Sequence, residues 1–399
     1  MIPDGSGGIW KETIKLNTKG SFMKTKITEL FGIKYPIVLP GMSWISVPEL
    51  VAAVCNAGAI GYLATGSLSP DKTRKAIRQV RELTDKPFGV GVTLLMPKAY
   101  ENARVAIEEK VPVLNISLGK GGDLIKKVHE YNGKVITTVT TVAHALAAQK
   151  SGADALQVTG YEAAAHGSQI PTMVLVPAIV DEVKIPVVAI GGIADGRGMA
   201  AAMALGAEGV GMGTRLSMTK ESPVHDHCMK KQLECGIEET IYSNRFDALY
   251  CRVLKTPSAE KAVKQGRNFT KGFMGTFAIA KSLNLSWMEM ATSNFSGPKG
   301  EKPVRSKDPA PKTSSVNRKN KSLISKILNS YQTGMNLAHM AQGYVAVQNA
   351  VENGDLERGV YLSGQVQGII HDIPTVAELI NRTVEEFITI QIGMLDKAI

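Results

Sequence analysis

The chain has 399 residues, 44% of them hydrophobic and 21% charged, with a formal net charge of +10. This balance is that of an ordinary soluble globular protein, and the length supports one large α/β domain with an appendage, or two domains. No run of 18 uninterrupted apolar residues occurs, which argues against a transmembrane helix and a membrane partner.

Residues 1–22 lack the apolar segment of a signal peptide and are predicted to be a disordered leader before Met23. The four cysteines form no CxxC pair and have no zinc-type spacing, so we predict no metal site and a reducing, cytoplasmic location. Cys55 lies on an apolar helix face and is predicted to be a buried thiol.

Much of the basic excess lies in one Pro- and Ser-rich segment, 298–321. Its composition favours a solvated, flexible loop over a polyanion contact, so no nucleic-acid partner is predicted.

From Pro36 to Thr219, short apolar runs alternate with amphipathic stretches. The predicted strands are 36–40, 59–65, 87–93, 111–117, 134–139, 153–159, 186–190 and 208–213. The predicted helices between them include 70–83, 97–109, 120–131, 141–151, 173–184 and 195–206. Strands that are apolar on both faces and separated by helices indicate a parallel sheet with helices outside it.

Eight such units fit a closed (β/α)₈ TIM barrel. The alternative, an open doubly wound sheet, normally carries its glycine-rich loop after the first strand. Here the glycine-rich loops follow strands seven and eight, which favours the barrel.

The alternation stops after strand eight. Residues 222–354 are predicted to form a mostly helical insertion or lid, with helical patches at 259–283 and 322–350. The barrel is accordingly assigned to 23–221 and 355–399, with its outer layer completed near the C-terminus.

Glycines cluster after strands seven and eight, in "IGGIADGRG" and "GVGMGTRL". Gly191, Gly192, Gly211 and Gly213 leave backbone N–H groups open to an anion, and Thr214 adds a hydroxyl. Such loops can simply permit tight turns, but their pairing on strands seven and eight of a barrel favours a phosphate site. Further along, Asp195 is predicted to cap the next helix and Arg197 to be structural.

His166 follows strand six in "GYEAAAHGS", among small residues that leave room for a substrate. An imidazole there can take a proton from carbon or support an anion, so His166 is the candidate catalytic residue. Glu162 could orient or cap this loop. A metal site at His225, Asp226 and His227 would need further ligands and is not favoured.

Several segments together resemble the nitronate monooxygenase family, whose relatives include flavin-dependent enoyl-acyl-carrier-protein reductases and an NADH:quinone reductase. They are "PGMSWIS", "NAGAIGYL", "DKPFGVGVTLL", "GYEAAAHGS", "IGGIADGRGMAAAMALGAEGVGMGTRL" and "SGQVQGIIHD". The resemblance implies a TIM barrel with non-covalent FMN, and places the family's active-site histidine at His166. It implies FMN contacts at Pro40, Gly41, Met42, Gly91, Thr159, Ala164, Gly192, Gly211, Met212, Gly213 and Thr214, beside Gly191.

Three positions depart from the family pattern. Gly91 stands where relatives commonly carry Asn, Ala163–Ala164–Ala165 precedes the histidine where Ala-Gly-Gly is usual, and Thr159 replaces a longer polar side chain.

The first functional hypothesis is oxidation of alkyl nitronates or nitroalkanes by O₂ to carbonyl products and nitrite, with His166 as the base for a neutral nitroalkane. The second keeps FMN but uses NAD(P)H to reduce a quinone or an enoyl thioester. The third is a flavin-free barrel that binds a phosphorylated metabolite. A homodimer is a further expectation.

Overall fold

The computed structural model describes residues 23–164, 166–265, 339–340 and 342–398. Eight parallel strands close into a barrel in sequence order, β1 pairing with both β2 and β8. They are β1 Ile37–Leu39, β2 Ile60–Ala64, β3 Gly89–Thr93, β4 Val113–Ser117, β5 Lys134–Val139, β6 Ala155–Thr159, β7 Val187–Ile190 and β8 Gly209–Gly211. Each lies within its predicted range, and the predicted TIM barrel is confirmed.

Helices cover the outside of the barrel. They are Pro48–Asn56, Pro70–Leu83, Ala99–Glu108, Gly122–His129, Val142–Lys150, Thr172–Val180 and Gly196–Ala204, each following one of β1 to β7. Asp195 begins the helix Gly196–Ala204 as predicted: its carboxylate accepts hydrogen bonds from the backbone N–H groups of Arg197 and Gly198, the N-cap arrangement. The helix after β6 ends at Val180, four residues earlier than predicted, and contains Pro177.

The barrel interior is closed at its amino-terminal end by the helix Lys26–Phe31. Ile27 and Phe31 pack against inward side chains of the strands, among them Val38, Ile60 and Tyr62. Because this end is filled by apolar side chains, the opposite end, where the strands finish, is left to bind ligands.

The helix that covers β8 comes last in the chain. The C-terminal helix, Val376–Ala398, packs against both Gly196–Ala204 and Pro48–Asn56 and so completes the outer layer. Between β8 and this helix lie the short helix Gly213–Leu216, the helix Asp226–Leu233, strands β9 and β10, the helix Pro257–Gln265, helical residues 342–353 and the 3₁₀ helix Gln365–Ile369.

The segment after β8 is not as uniformly helical as its sequence indicates. β9 Thr240–Ser243 and β10 Cys251–Leu254 form an antiparallel hairpin that the sequence analysis did not predict. Within the described ranges, the strand-like stretch near 359 contributes a single bridge, between Leu362 and Val253. The predicted leader 1–22, the basic segment 298–321 and most of the two helical patches lie outside the described residues. No helix in the described ranges is both long and apolar enough to span a membrane.

Candidate active site at the barrel mouth

A cavity of about 1000 Å³ opens at the carboxyl ends of the barrel strands. The loops after β1, β6, β7 and β8 line one side of it, and residues of the β4 and β5 loops line the other. Asp247 and Tyr344, from the segment after β8, form part of the wall. The volume lies at the upper end of the usual range for ligand sites, ~300–1,000 Å³.

Two neighbouring strand ends present backbone N–H groups to this cavity. After β7, Gly191 and Gly192 have φ of +117° and +75°, a region that favours glycine. After β8, Gly213 and Thr214 begin the helix Gly213–Leu216, whose first N–H groups have no partner within the helix. These two amides have no acceptor elsewhere in the described part of the chain. The arrangement suits an anion such as a phosphate.

Ten of the twelve predicted cofactor-binding residues line the cavity: Pro40, Gly41, Met42, Thr159, Ala164, Gly191, Gly192, Gly211, Gly213 and Thr214. Gly91 does not line the cavity but lies directly next to Gly41, which does. A β-carbon on Gly41 would come within 3.5 Å of the Gly91 Cα. The Met212 side chain is fully buried among the residues between barrel and helices, because side chains alternate along β8. Its neighbours Gly211 and Gly213 are the ones that face the cavity.

A row of polar side chains on adjacent strands also faces the cavity. Asn115 on β4 and Gln157 on β6 each donate an amide N–H to Thr138 Oγ1 on β5, at 3.1 and 3.3 Å. The Gln157 Oε1 atom is buried and has no hydrogen-bond partner among the described residues. A buried acceptor without a donor is costly, so this atom suits a ligand N–H group. This row was not predicted, although single polar residues in the apolar runs "VLNIS" and "ALQVT" indicated it.

His166 lies beside the cavity and is hydrogen-bonded to an acidic side chain. Its Nε2 is 2.7 Å from Asp247 Oδ2, in the loop between β9 and β10. Burial lowers the pKa of His166, but the charge of Asp247 and the hydrogen bond to it outweigh burial and leave that pKa raised. Asp247 is 81 residues away along the chain, and no motif in the sequence indicated it.

The β9–β10 hairpin is fastened to the loop that carries His166. The backbone N–H of Arg252 donates to Ala164 O at 3.0 Å, and its buried guanidinium donates to Tyr161 O at 3.0 Å and to Thr240 Oγ1 at 3.0 Å. The guanidinium carbon also lies 4.4 Å from the Tyr161 ring centre, a cation–π contact. The hairpin and the β6 loop therefore form one packed unit.

Glu162 has the capping role that the sequence left open. Its carboxylate accepts hydrogen bonds from the Thr172 backbone N–H and hydroxyl, at the start of the helix Thr172–Val180. The His225–Asp226–His227 segment serves the fold: His225 caps the helix Asp226–Leu233 and His227 contacts the Gly354 carbonyl. Cys55 is buried as predicted, and burial raises its pKa to about 12.

Cys251 lies close to the His166–Asp247 pair, and the three ligand-type atoms fall within 4.8 Å of one another. The hydrogen bond between His166 and Asp247 explains why these two side chains lie so close together. Burial, followed by the nearby Asp247 charge, raises the pKa of the Cys251 thiol well above its usual range, so it is a neutral thiol rather than a thiolate. We assign no metal to this cluster.

Comparison with known proteins identifies the family. A family model described as nitronate monooxygenase matches residues 24–121 and 99–386. The chain belongs to the nitronate monooxygenase family. Members of this family are flavin-dependent oxidoreductases that act on small molecules.

Relatives that align over nearly the whole chain include one named for a CoA-linked reaction. It is the (3aS,4S,5R,7aS)-5-hydroxy-7a-methyl-1-oxo-octahydro-1H-indene-4-carboxyl-CoA dehydrogenase of Mycobacterium tuberculosis, 33% identical over 92% of this chain and 97% of the relative. The structure of FabK from Thermotoga maritima is 33% identical, covers 94% of this chain and 100% of that chain, and gives a TM-score of 0.73. A probable nitronate monooxygenase of Staphylococcus saprophyticus is 34% identical over 56% of this chain and 76% of the relative.

Proposed function

We propose that this family member is an FMN-dependent oxidoreductase that uses NAD(P)H to act on an acyl thioester. The observation that carries the proposal is the extent of the cavity. Besides the glycine loops its lining includes Leu118 and Lys120 after β4, Ile125 on the helix Gly122–His129, and Lys150 at the end of the helix Val142–Lys150. Neither lysine forms an ion pair within the described ranges, so both can meet an anionic group.

The residues of the barrel mouth fit FMN. The free amides of Gly192, Gly213 and Thr214 suit its phosphate, and the buried, unpaired Gln157 Oε1 suits an N–H of the ring system. Gly41 and Gly91 lie so close together that a β-carbon on either would come within 3.5 Å of the Cα of the other, and neither places a side chain at the mouth of the barrel. When bound, FMN would supply the electron chemistry, while the protein supplies binding and orientation.

The remaining part of the cavity suits the shape and charge of a CoA or carrier-protein thioester. The apolar residues Leu118, Ile125 and Ala147 line the same cavity as the two exposed lysines. A pantetheine arm is long and weakly polar and ends in phosphate, which suits a lining that combines apolar groups with cations. His166, with its raised pKa, can hold a proton beside the thioester carbonyl.

Two of the comparisons support this substrate class. The CoA dehydrogenase aligns with 92% of the chain and FabK, an enoyl-acyl-carrier-protein reductase, with 94%, whereas the probable nitronate monooxygenase of Staphylococcus saprophyticus aligns with 56%. A nitroalkane oxidase structure from Streptomyces ansochromogenes also covers 92% of the chain, but at 21% identity it shows the shared fold alone.

Nitronate oxidation is the second candidate function. The match to the nitronate monooxygenase family model favours it, and a protonated His166 would also bind the negative charge of a nitronate. The raised pKa of His166 also raises the pH above which the imidazole is free to act as a base towards a neutral nitroalkane, because a base must start without the proton.

The deciding experiment uses the purified holoenzyme under anaerobic conditions. We expect NADH or NADPH to bleach the flavin absorbance, and an enoyl-CoA to restore it. Nitrite release from an alkyl nitronate, with no bleaching by either nicotinamide, would instead establish the second function and overturn the first.

A pair of lysine variants tests where the thioester lies. In Lys120→Ala and Lys150→Ala we expect KM for an acyl-CoA to rise about tenfold, a loss of ~1.4 kcal/mol in binding. KM for a short thioester that lacks the nucleotide should stay unchanged. Lys127→Ala is the control, because Lys127 is exposed on the neighbouring helix but does not line the cavity. Equal effects on both substrates would contradict the placement.

A further inference from the structure

We propose that Asp247, supplied by the β9–β10 hairpin, is a positioning residue that determines which ring nitrogen of His166 meets the substrate. The inference rests on substrate binding beside His166 in the barrel mouth, and it holds for a thioester and for a nitronate alike.

The hydrogen bonds of the pair define the orientation of the imidazole. Asp247 Oδ2 lies 2.7 Å from His166 Nε2, and an ionised carboxylate can only accept, so the shared proton belongs to Nε2. His166 Nδ1 has no hydrogen-bond partner in the part of the chain that the structure describes. Both side chains line the cavity. Nδ1 is therefore the nitrogen left for the substrate.

Asp247 is itself held in place from three sides. Its Oδ1 accepts a hydrogen bond from the Leu249 backbone N–H at 3.1 Å and lies 3.8 Å from the Cys251 thiol. Helical residues 342–353 pack behind it, so closely that a β-carbon on Gly343 would come within 2.6 Å of Asp247 Cβ. Arg252 ties the same hairpin to the loop of His166. The carboxylate is thus fixed before any substrate binds.

The charged and titratable groups around His166 give Asp247 a clear electrostatic role. From the hairpin, Asp247 and the neutral Cys251 thiol face this region, and the Tyr242 hydroxyl reaches Gly167 O. Arg252 bonds through its backbone to Ala164, while its guanidinium turns to Tyr161 and Thr240. Asp247 is the ionised group in direct contact with the imidazole, and it is the group that raises its pKa. Asp247 therefore favours the imidazolium form of His166, in which Nδ1 also carries a proton.

A double-mutant cycle tests whether Asp247 acts through His166. In the holoenzyme, Asp247→Asn should lower kcat tenfold or more with little change in KM or FMN content, because an amide can donate to Nε2 and so reverse the tautomer. Asp247→Glu should restore part of the activity. Adding Asp247→Asn to His166→Ala should have no further effect, whereas additive losses would overturn the proposal.

Asp154→Asn is a matched control. Asp154 Oδ2 lies 2.8 Å from His129 Nε2, the same type of pair, but neither residue lines the cavity. Its kcat should equal that of the parent protein. A loss of kcat equal to that of Asp247→Asn would show that removing any acidic partner of a histidine has this effect, and would overturn the assignment.

A second measurement does not depend on turnover. In ¹⁵N spectra of the holoenzyme, the His166 signals are those missing from His166→Ala. We expect Nε2 to stay protonated throughout a pH titration, Nδ1 to titrate above the ordinary value of about 6.5, and both properties to be lost in Asp247→Asn. An ordinary pKa in the parent protein would refute the inference. If no thioester is turned over, the NMR result still decides the role of Asp247, so the two proposals fail separately.

Discussion

At the scale of single residues, glycines shape the barrel mouth as much as functional side chains do. A β-carbon on Gly213 would lie 3.3 Å from the Met42 sulfur and 3.5 Å from Pro40 Cγ. The β8 loop and the β1 loop therefore lie in close contact at this glycine. Met42 can shift slightly because its thioether is flexible. A methyl group here would therefore narrow the proposed FMN site with little strain on the fold.

Gly213→Ala should separate FMN binding from folding. We expect FMN affinity to fall about tenfold, ~1.4 kcal/mol, and the free energy of unfolding of the apoprotein to change by less than about 1 kcal/mol. Flavin fluorescence titration and urea unfolding measure the two quantities. Gly393→Ala is the control, since a β-carbon there meets nothing within 4 Å and both quantities should remain at or above the parent values. Unchanged FMN affinity in Gly213→Ala would place the cofactor elsewhere.

The residues that could be predicted from the sequence are those whose signal is local. A glycine pair after a buried strand, or His166 among alanines, is visible because the turn and its contents adjoin in the chain. Asp247 gave no such signal, since its role arises from a contact with a residue 81 positions away. Gln157 lay between these cases: its polarity within an apolar strand was visible, but its unpaired oxygen depends on the neighbouring strands.

At the scale of elements, the same distinction separates the barrel from the hairpin. The eight barrel strands are short apolar runs between amphipathic helices, and this periodicity predicts them. β9 and β10 are four residues each, and β9 is only partly buried. Arg252, on β10, is buried against the rings of Tyr161 and Tyr242. The hairpin therefore depends on tertiary packing, which the hydrophobic pattern of its own residues does not reveal.

Arg252→Lys tests how far the hairpin depends on this packing. Lysine cannot reproduce the planar fork that reaches Tyr161 O and Thr240 Oγ1, so we expect a loss of about 2 kcal/mol in the free energy of unfolding. Hydrogen exchange should accelerate in residues 161–168 and 240–254 while the barrel strands keep their protection. Arg245→Lys, at an exposed position of the same hairpin, should change neither measurement. Uniformly faster exchange across the barrel would argue against a local role.

At the scale of the whole molecule, the chain leaves the barrel after β8 and returns to complete it. Arg215, just after β8, connects the segment that leaves the barrel to the segment that returns to it. Its side chain is 3% exposed and donates a hydrogen bond to Asp372 Oδ1 at 2.9 Å, just before the C-terminal helix. Asp372 also accepts from Arg382 on the C-terminal helix at 2.7 Å. Arg215 follows Thr214 directly, so the cation next to the proposed phosphate site is directed into the fold rather than towards a ligand.

Asp372→Asn should weaken the closure of the barrel in a pH-dependent way. Hydrogen bonding from Arg382, with the charge of Arg215, lowers the pKa of Asp372. A lowered pKa stabilises the folded state above the unfolded-state pKa, and this stability is lost as pH falls through the folded-state value. Losing the counter-charge of a buried arginine costs about 3–5 kcal/mol, which we reduce to about 2 kcal/mol because Asp372 is half exposed.

Urea unfolding of Asp372→Asn against the parent protein measures this difference at pH 7 and again at a pH below the lowered pKa of Asp372 in the folded protein, where the two proteins should converge because the parent carboxylate is then protonated. Asp181→Asn provides the control, since Asp181 is exposed and its carboxylate has no partner in the described ranges. A difference that persists at the lower pH would mean that Asp372 stabilises the barrel through its hydrogen-bond geometry rather than its charge. The ion pair would then not be what holds the C-terminal helix to the end of β8.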